Sequence, residues 1–283
     1  MEHFTLETTM KTRFLLMLAF LLAFAAPGAH AQSFPDGDVF RPLVADPIEP
    51  RFFLSTVNMD VGDENINMAS IGAGVNFGLY RWPGEGEGEG WQVGIFGAVA
   101  SQFNVDVSSG DLINTDFRVG IPLSYRRGAF SGRARIFHQS SHLGDEFLLN
   151  GPATPRINLS VEVFDLVLAW EHAGWRPYAG FGYAFGRDPD DLKQSGFQVG
   201  VDYVGTKEVL FGGRLVGGVD YRSMEETDWD AGLSVKIGLA YGRTSPTRRG
   251  ISVLFEYFDG PAPFGQFYQD TVSYYGLALQ FDY

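Results

Sequence analysis

Thr271-Val-Ser-Tyr-Tyr-Gly-Leu-Ala-Leu-Gln-Phe-Asp-Tyr283 is the stretch that decides the fold. Tyr275, Leu277, Leu279, Phe281 and Tyr283 place an apolar or aromatic side chain at every second residue, and the chain stops on the last of them. A period of two is a strand with one greasy face. The opposite face carries Gly276, Ala278, Gln280 and Asp282. A soluble sheet that ends on such an edge invites aggregation. A closed barrel in a membrane has no edge and tolerates this ending.

The other end of the chain agrees. Met10-Lys-Thr-Arg13 is a basic segment, Phe14 to Ala26 is an apolar run too short to span a bilayer, and Ala29-His30-Ala31 fits a leader cleavage site. Residues 1–31 read as a signal peptide that starts at Met10, and the mature chain as starting at Gln32. No second apolar run reaches the length of a transmembrane helix. The choice is therefore between a secreted soluble protein, such as a lipocalin-like one, and a transmembrane barrel. The tail also resembles the C-terminal signal of bacterial outer-membrane barrels, which ends in an aromatic residue. That resemblance implies that the Tyr283 strand engages the barrel-assembly machinery.

Composition narrows the function classes. There is no cysteine, which excludes thiolate catalysis and thiolate metal sites. Mean hydropathy is near zero although aromatics make up 15 % of the chain, the average expected of strands with one apolar and one polar face. The formal net charge is −13, which makes nucleic acid a poor partner.

Residues 32–50 carry prolines at 35, 42, 47 and 50 among several aspartates. Each proline opposes helix and regular ladder alike. This segment reads as an extended periplasmic arm, and 51–283 as the barrel. Strand-like segments follow at 51–61, 68–81, 91–105, 112–126, 129–141, 156–171, 175–187, 195–204, 207–222, 228–242, 249–259 and 270–283. They number about 12, even as in single-chain bacterial barrels. Arg118, Arg133, Arg135, Arg214, Asp220, Arg222 and Lys236 fall on the polar parity. Charges of both signs would fill a narrow lumen, which argues against a wide pore. Short turns are expected at 126–129, 172–175 and 205–207 on the periplasmic side. Trp82, Trp91, Trp170 and Trp175 gather at that rim as an aromatic girdle. Gly84 to Gly90 reads as a solvated turn. Asp188-Pro-Asp-Asp191 reads as an acidic loop suited to bridging lipopolysaccharide through divalent cations.

Arg133-Ala-Arg-Ile-Phe-His-Gln-Ser-Ser-His-Leu-Gly-Asp-Glu-Phe147 breaks the barrel pattern. Arg133 and Arg135 must face the lumen, because charge facing lipid is costly. His138 and Ser140 then continue the lipid-facing row near the outer rim, ~6.6 Å apart along the strand. Without a bulge, Asn158, Ser160 and Glu162 share that row on the returning strand. The hairpin midpoint sets Asn158 opposite His138. Ser140, His138 and Asn158 then form a nucleophile, a general base and a group that orients the base. Two readings compete: Ser140 with His142, and a zinc site of His138, His142, Asp145 and Glu146. A bulge between 160 and 164 would turn Asn158 inward and undo the triad.

His138-Gln-Ser140, followed across a hairpin by Asn158, resembles the outer-membrane phospholipase A family. Those are barrels of the same inferred strand number, with His and Ser on one strand and Asn on the next, all facing the outer leaflet. The resemblance implies an acyl hydrolase that uses calcium, and Asp145 and Glu146 stand in as candidate metal ligands. Its departures are a longer His-to-Asn spacing and Ser141-His-Leu-Gly-Asp-Glu146 in place of a Gly-rich stretch. A wider resemblance rests on Arg41-Pro-Leu-Val-Ala-Asp-Pro-Ile-Glu-Pro-Arg51 and Ser140-Ser-His-Leu-Gly-Asp-Glu146. These are similar to an uncharacterised family of bacterial envelope proteins, a domain of unknown function.

The expectation is an all-β transmembrane antiparallel barrel of the bacterial outer membrane that hydrolyses acyl esters of phospholipid or of lipid A. Its partners would be membrane lipids and lipopolysaccharide, with homodimerisation open. The alternative is a non-catalytic structural barrel or narrow channel.

Overall fold

Alternation of apolar and polar side chains produces strands long enough to cross a bilayer, each hydrogen-bonded to both neighbours. The computed structural model describes residues 31–150, 157–242 and 249–282. The leader and Tyr283 lie outside the described residues, apart from Ala31. Twelve antiparallel strands form the wall: β2 (Phe52–Val61), β3 (Glu64–Pro83), β4 (Gly90–Asn104), β5 (Asp111–Arg127), β6 (Phe130–Leu143), β7 (Leu159–Trp170), β8 (Trp175–Asp188), β9 (Ser195–Leu210), β10 (Gly213–Met224), β11 (Ala231–Tyr241), β12 (Gly250–Pro261) and β13 (Thr271–Asp282). The shortest, β2, has 10 residues, within the roughly 9–11 that a tilted strand needs to span the hydrocarbon. β13 pairs with β2 from Val272↔Val61 to Phe281↔Phe52, which closes the sheet. A two-residue β1 (Gln32–Ser33) pairs with Arg81 and Tyr80, where β3 extends past the end of β2.

The tail behaves as its period dictates. Tyr275, Leu277 and Phe281 are exposed, whereas Ala278 and Gln280 are buried in the lumen. Ile71, Phe117, Val119, Ile237 and Val253 continue the exposed apolar belt around the wall. Trp91 packs on Tyr125 and Trp175 on Tyr203 at the rim with the short turns. Two of the expected turns stand where the sequence puts them. The one expected at 205–207 lies at Phe211–Gly212. β9 runs on to Leu210, and register shifts against β10 at Arg214 absorb the extra residues.

The segment expected as an extended periplasmic arm lies inside the barrel. Val39, Phe40, Leu43 and Ala45 are fully buried. Its prolines deny it a helix or a ladder, so its carbonyls need other donors. Lumen arginines supply them. Arg81 donates to the carbonyls of Asp36 and Gly37, Arg126 to Val39, Arg176 to Arg41 and Pro42, and Arg118 to Ile48. The arm in turn supplies carboxylates. Glu49 takes both Arg133 Nη atoms at 2.5 and 2.8 Å, and Asp46 takes Arg222 at 2.9 Å. The Phe40 ring lies 4.7 Å from the Arg133 guanidinium and 5.5 Å from that of Arg176. Within the wall, Arg135 pairs with Asp165, Arg176 with Asp202 and Lys236 with Glu256. The lumen is therefore a charged core packed around residues 35–50.

Candidate active site

The parity of β6 is set by its arginines. Arg133 and Arg135 are buried in the lumen, so His138, Ser140 and His142 point outward in the half of the strand far from the tryptophan rim. β6 and β7 pair without a bulge, from Phe130↔Trp170 to Ser141↔Leu159. Ser160, Glu162 and Phe164 therefore share the outward row.

The register differs from the hairpin midpoint by four residues. His138 faces Glu162, and Ser140 faces Ser160. Asn158 precedes β7, and its Nδ2 donates to Asp188 Oδ2 at 2.6 Å. The expected pairing of His138 with Asn158 is therefore not formed. The cause is local. A short helix, α1 (Asp145–Asn150), lies in the connection, which runs over 144–158 instead of the expected 142–155, so its midpoint, and the register with it, moves toward the C-terminus. Gly144 begins it because a Cβ there would meet Leu112 O at 1.9 Å. Its N–H donates to Ile113 O, so it is not free for an oxyanion.

Glu162 takes the place meant for Asn158. His138 Nδ1 lies 3.2 Å from Glu162 Oε1, and the two side chains are 38 % and 29 % exposed. An ionised carboxylate only accepts, so this contact fixes the proton on Nδ1 and leaves Nε2 with its lone pair. The next strand holds the carboxylate in place. β8 shifts register between Glu162 and Val163, which brings Gly186 opposite Glu162 and Asp188 opposite Ser160. A Cβ on Gly186 would lie 2.0 Å from Glu162 Oε2. The glycine is thus the space the carboxylate occupies. Ser140 sits two residues from His138 on the same face, and no hydrogen bond joins them among the described residues. His142 rests edge-on against Phe117 at 5.9 Å, and no carboxylate pairs with it among the described residues.

The candidate metal ligands are not brought together. Asp145 and Glu146 are exposed on the first turn of α1, where their charge favours the helix start. Among the described residues, no three His, Asp or Glu side chains converge as a metal site requires. Two exposed carboxylates fall short of the six to eight oxygens that calcium takes, so this pair does not fit a calcium cage.

Glu162 and Gly186 were not legible as partners of His138. The one signal was parity: Glu162 stands on the outward row as a charge that needs a partner there.

Comparison with known proteins supports the fold. The outer-membrane phospholipase of Salmonella typhi, solved as a dimer with bound calcium, superposes with a TM-score of 0.58 at 14 % identity, over 83 % of this chain and 93 % of that one. Outer membrane phospholipase A from Escherichia coli gives 0.55 at 13 % identity over the same shares. No curated protein matches by sequence. The architecture is that of bacterial outer-membrane barrels, and the exposed belt is the surface such a barrel presents to lipid. The profile of one family, described as a protein of unknown function, matches residues 25–283, and the chain belongs to that family, DUF1207.

Proposed function

We propose that this barrel is a serine lipid acyl hydrolase working on the outer leaflet of the outer membrane, with Ser140, His138 and Glu162 as its catalytic group. The observation that carries the reading is the outward-facing contact between His138 Nδ1 and Glu162, two residues from an outward serine. A carboxylate on the lipid-facing side of a barrel is costly unless it serves a purpose there. A carboxylate on Nδ1 holds the tautomer and orientation that a general base needs.

Ser140 Oγ attacks the ester carbonyl while His138 Nε2 takes its proton. Glu162 stabilises the imidazolium that forms. His138 then returns the proton to the leaving alcohol, and water repeats the sequence in reverse to release the fatty acid. Hydroxyl and imidazole close to hydrogen-bond distance as substrate enters. Substrate arrives laterally from the membrane, so the filled lumen is no obstacle. The ester is that of a phospholipid or of a lipid A acyl chain. Likeness to outer membrane phospholipase A supports the reading at the level of fold. A serine-reactive fluorophosphonate tests it. The probe should label wild type at Ser140, fail on Ser140→Ala and label Glu162→Gln slowly. Equal labelling of wild type and Ser140→Ala would refute the assignment.

A further inference from the structure

A cavity lies inside the barrel, on the far side of the wall from His138. It occupies the lumen between the tip of the arm, at Pro47 and Ile48, and the loop rim, with a volume of about 260 Å³. Its walls are apolar where a lumen is usually polar: Phe137, Leu159, Val161 and Val163 from β6 and β7 face Met224 and Phe258. Its floor is charged, with Arg135, Asp165, Asp220 and Arg222. The floor acids are satisfied. Asp165 accepts from Arg135, and Asp220 from Tyr178 and Gln198. The two arginines are not. Arg135 Nη1 and Arg222 Nε are buried and have no acceptor among the described residues. The nearest carboxylate to Arg135 Nη1 outside its Asp165 pair is Glu49, at 4.0 Å.

We infer that this cavity binds an uncharged single-chain amphiphile, its apolar body against β6 and β7 and its oxygen head group toward Arg135 and Arg222. A buried donor without an acceptor is unfavourable, so an oxygen brought to it is stabilised. Asp165, Asp220, Glu226 and Asp230 offset Arg135, Lys193 and Arg222, so the cavity has no net positive charge to draw an anion. At ~30 Å³ per water-sized group, the volume suits a chain of about eight to nine such groups. That lies near the lower end of small-molecule sites. Gly182 keeps the space open: it lines the cavity, and a Cβ built there meets nothing within 4 Å. The site is separate from the outward row and does not rest on the hydrolase reading.

Octanol is the probe. The full-length barrel is held in phosphatidylcholine nanodiscs, and octanol adducts are read by native mass spectrometry on wild type and Gly182→Phe. Folding is checked by resistance to unfolding in cold SDS. A discrete adduct on wild type that is lost in folded Gly182→Phe is the expected result. If that variant does not fold, Val163→Phe fills the same space from β7. No adduct on folded wild type would overturn the inference, as would the same adduct on a folded, filled variant. Octanoate or octylammonium displacing octanol at lower concentration would overturn the uncharged head group.

Discussion

Removing Glu49 tests how the arm is held. Glu49→Ala leaves the Arg133 guanidinium in a place where it is fully buried and already has an unmet Nε donor. Stranding one member of a buried pair costs about 3–5 kcal/mol. The loss falls on the docked state of the arm, because an undocked arm lets water reach Arg133. At 1.4 kcal/mol per decade, the docked-to-undocked ratio falls by roughly two to three and a half decades. Hydrogen exchange of the 35–50 segment reads this directly. The Val44 N–H donates to Asp202 of β9, a bond that exists only while the arm is docked. Its exchange should accelerate by that factor, with strand amides of β11 and β12 unchanged. Replacing both partners, Glu49→Met with Arg133→Met, should restore most of the protection, since an apolar pair of similar size is nearly neutral. Exchange in Glu49→Ala within a few-fold of wild type would refute the claim that this pair anchors the arm.

Acid should loosen the same arm. Burial raises the pKa of both Asp46 and Glu49, but Arg222 and the Ile48 amide outweigh it at Asp46, and Arg133 outweighs it at Glu49. Both are held below the ordinary carboxylate range. Groups depressed in the docked state stabilise it above their free pKa, and that stability is lost as pH falls through the depressed value. Planar-bilayer conductance should therefore be closed at neutral pH and open in bursts only below about pH 4; bursts that appear on raising pH would contradict the sign. Gly186→Ala should push Glu162 off His138 and lower kcat by up to about 10⁴-fold, the worth of the carboxylate that orients the base in a triad, with the barrel intact by far-UV circular dichroism. Asn158→Ala should leave ester turnover as in wild type, because its side chain is spent on Asp188. Leu277→Arg, on the exposed belt at mid-strand, should cost about 2–4 kcal/mol in vesicle unfolding by denaturant.

The wall was legible because lipid and lumen demand opposite chemistry at alternate residues. Tyr275 to Phe281 show that contrast without interruption, and their strand lies within a residue of the expected bounds at each end, whereas β3 runs from Glu64 to Pro83, past the expected 68–81 at both ends. Arg133 and Arg135 likewise fixed which way His138 and Ser140 face. The placement of the arm was not legible, since an extended proline-rich segment has no period to read. Its destination lay in a long-range match between arginines on several strands and the carbonyls and carboxylates of residues 36–49. The partner of His138 was obscured because β6 runs on to Leu143 and β7 begins only at Leu159, which moves the register by four. The β8 register shift that seats Glu162 over Gly186 leaves no mark in the sequence beyond the glycine itself.

The claim at the centre is that the outward row carries out acyl hydrolysis. Its most direct test is fatty-acid release from phospholipid and lipopolysaccharide in mixed micelles by the refolded barrel, beside Ser140→Ala and with and without calcium. Release by wild type and none by the folded mutant is the predicted result, and the substrate that yields acid names the lipid class. No release from folded wild type, or equal release from both proteins, would contradict it and leave a plugged barrel whose outward His138–Glu162 pair serves structure alone.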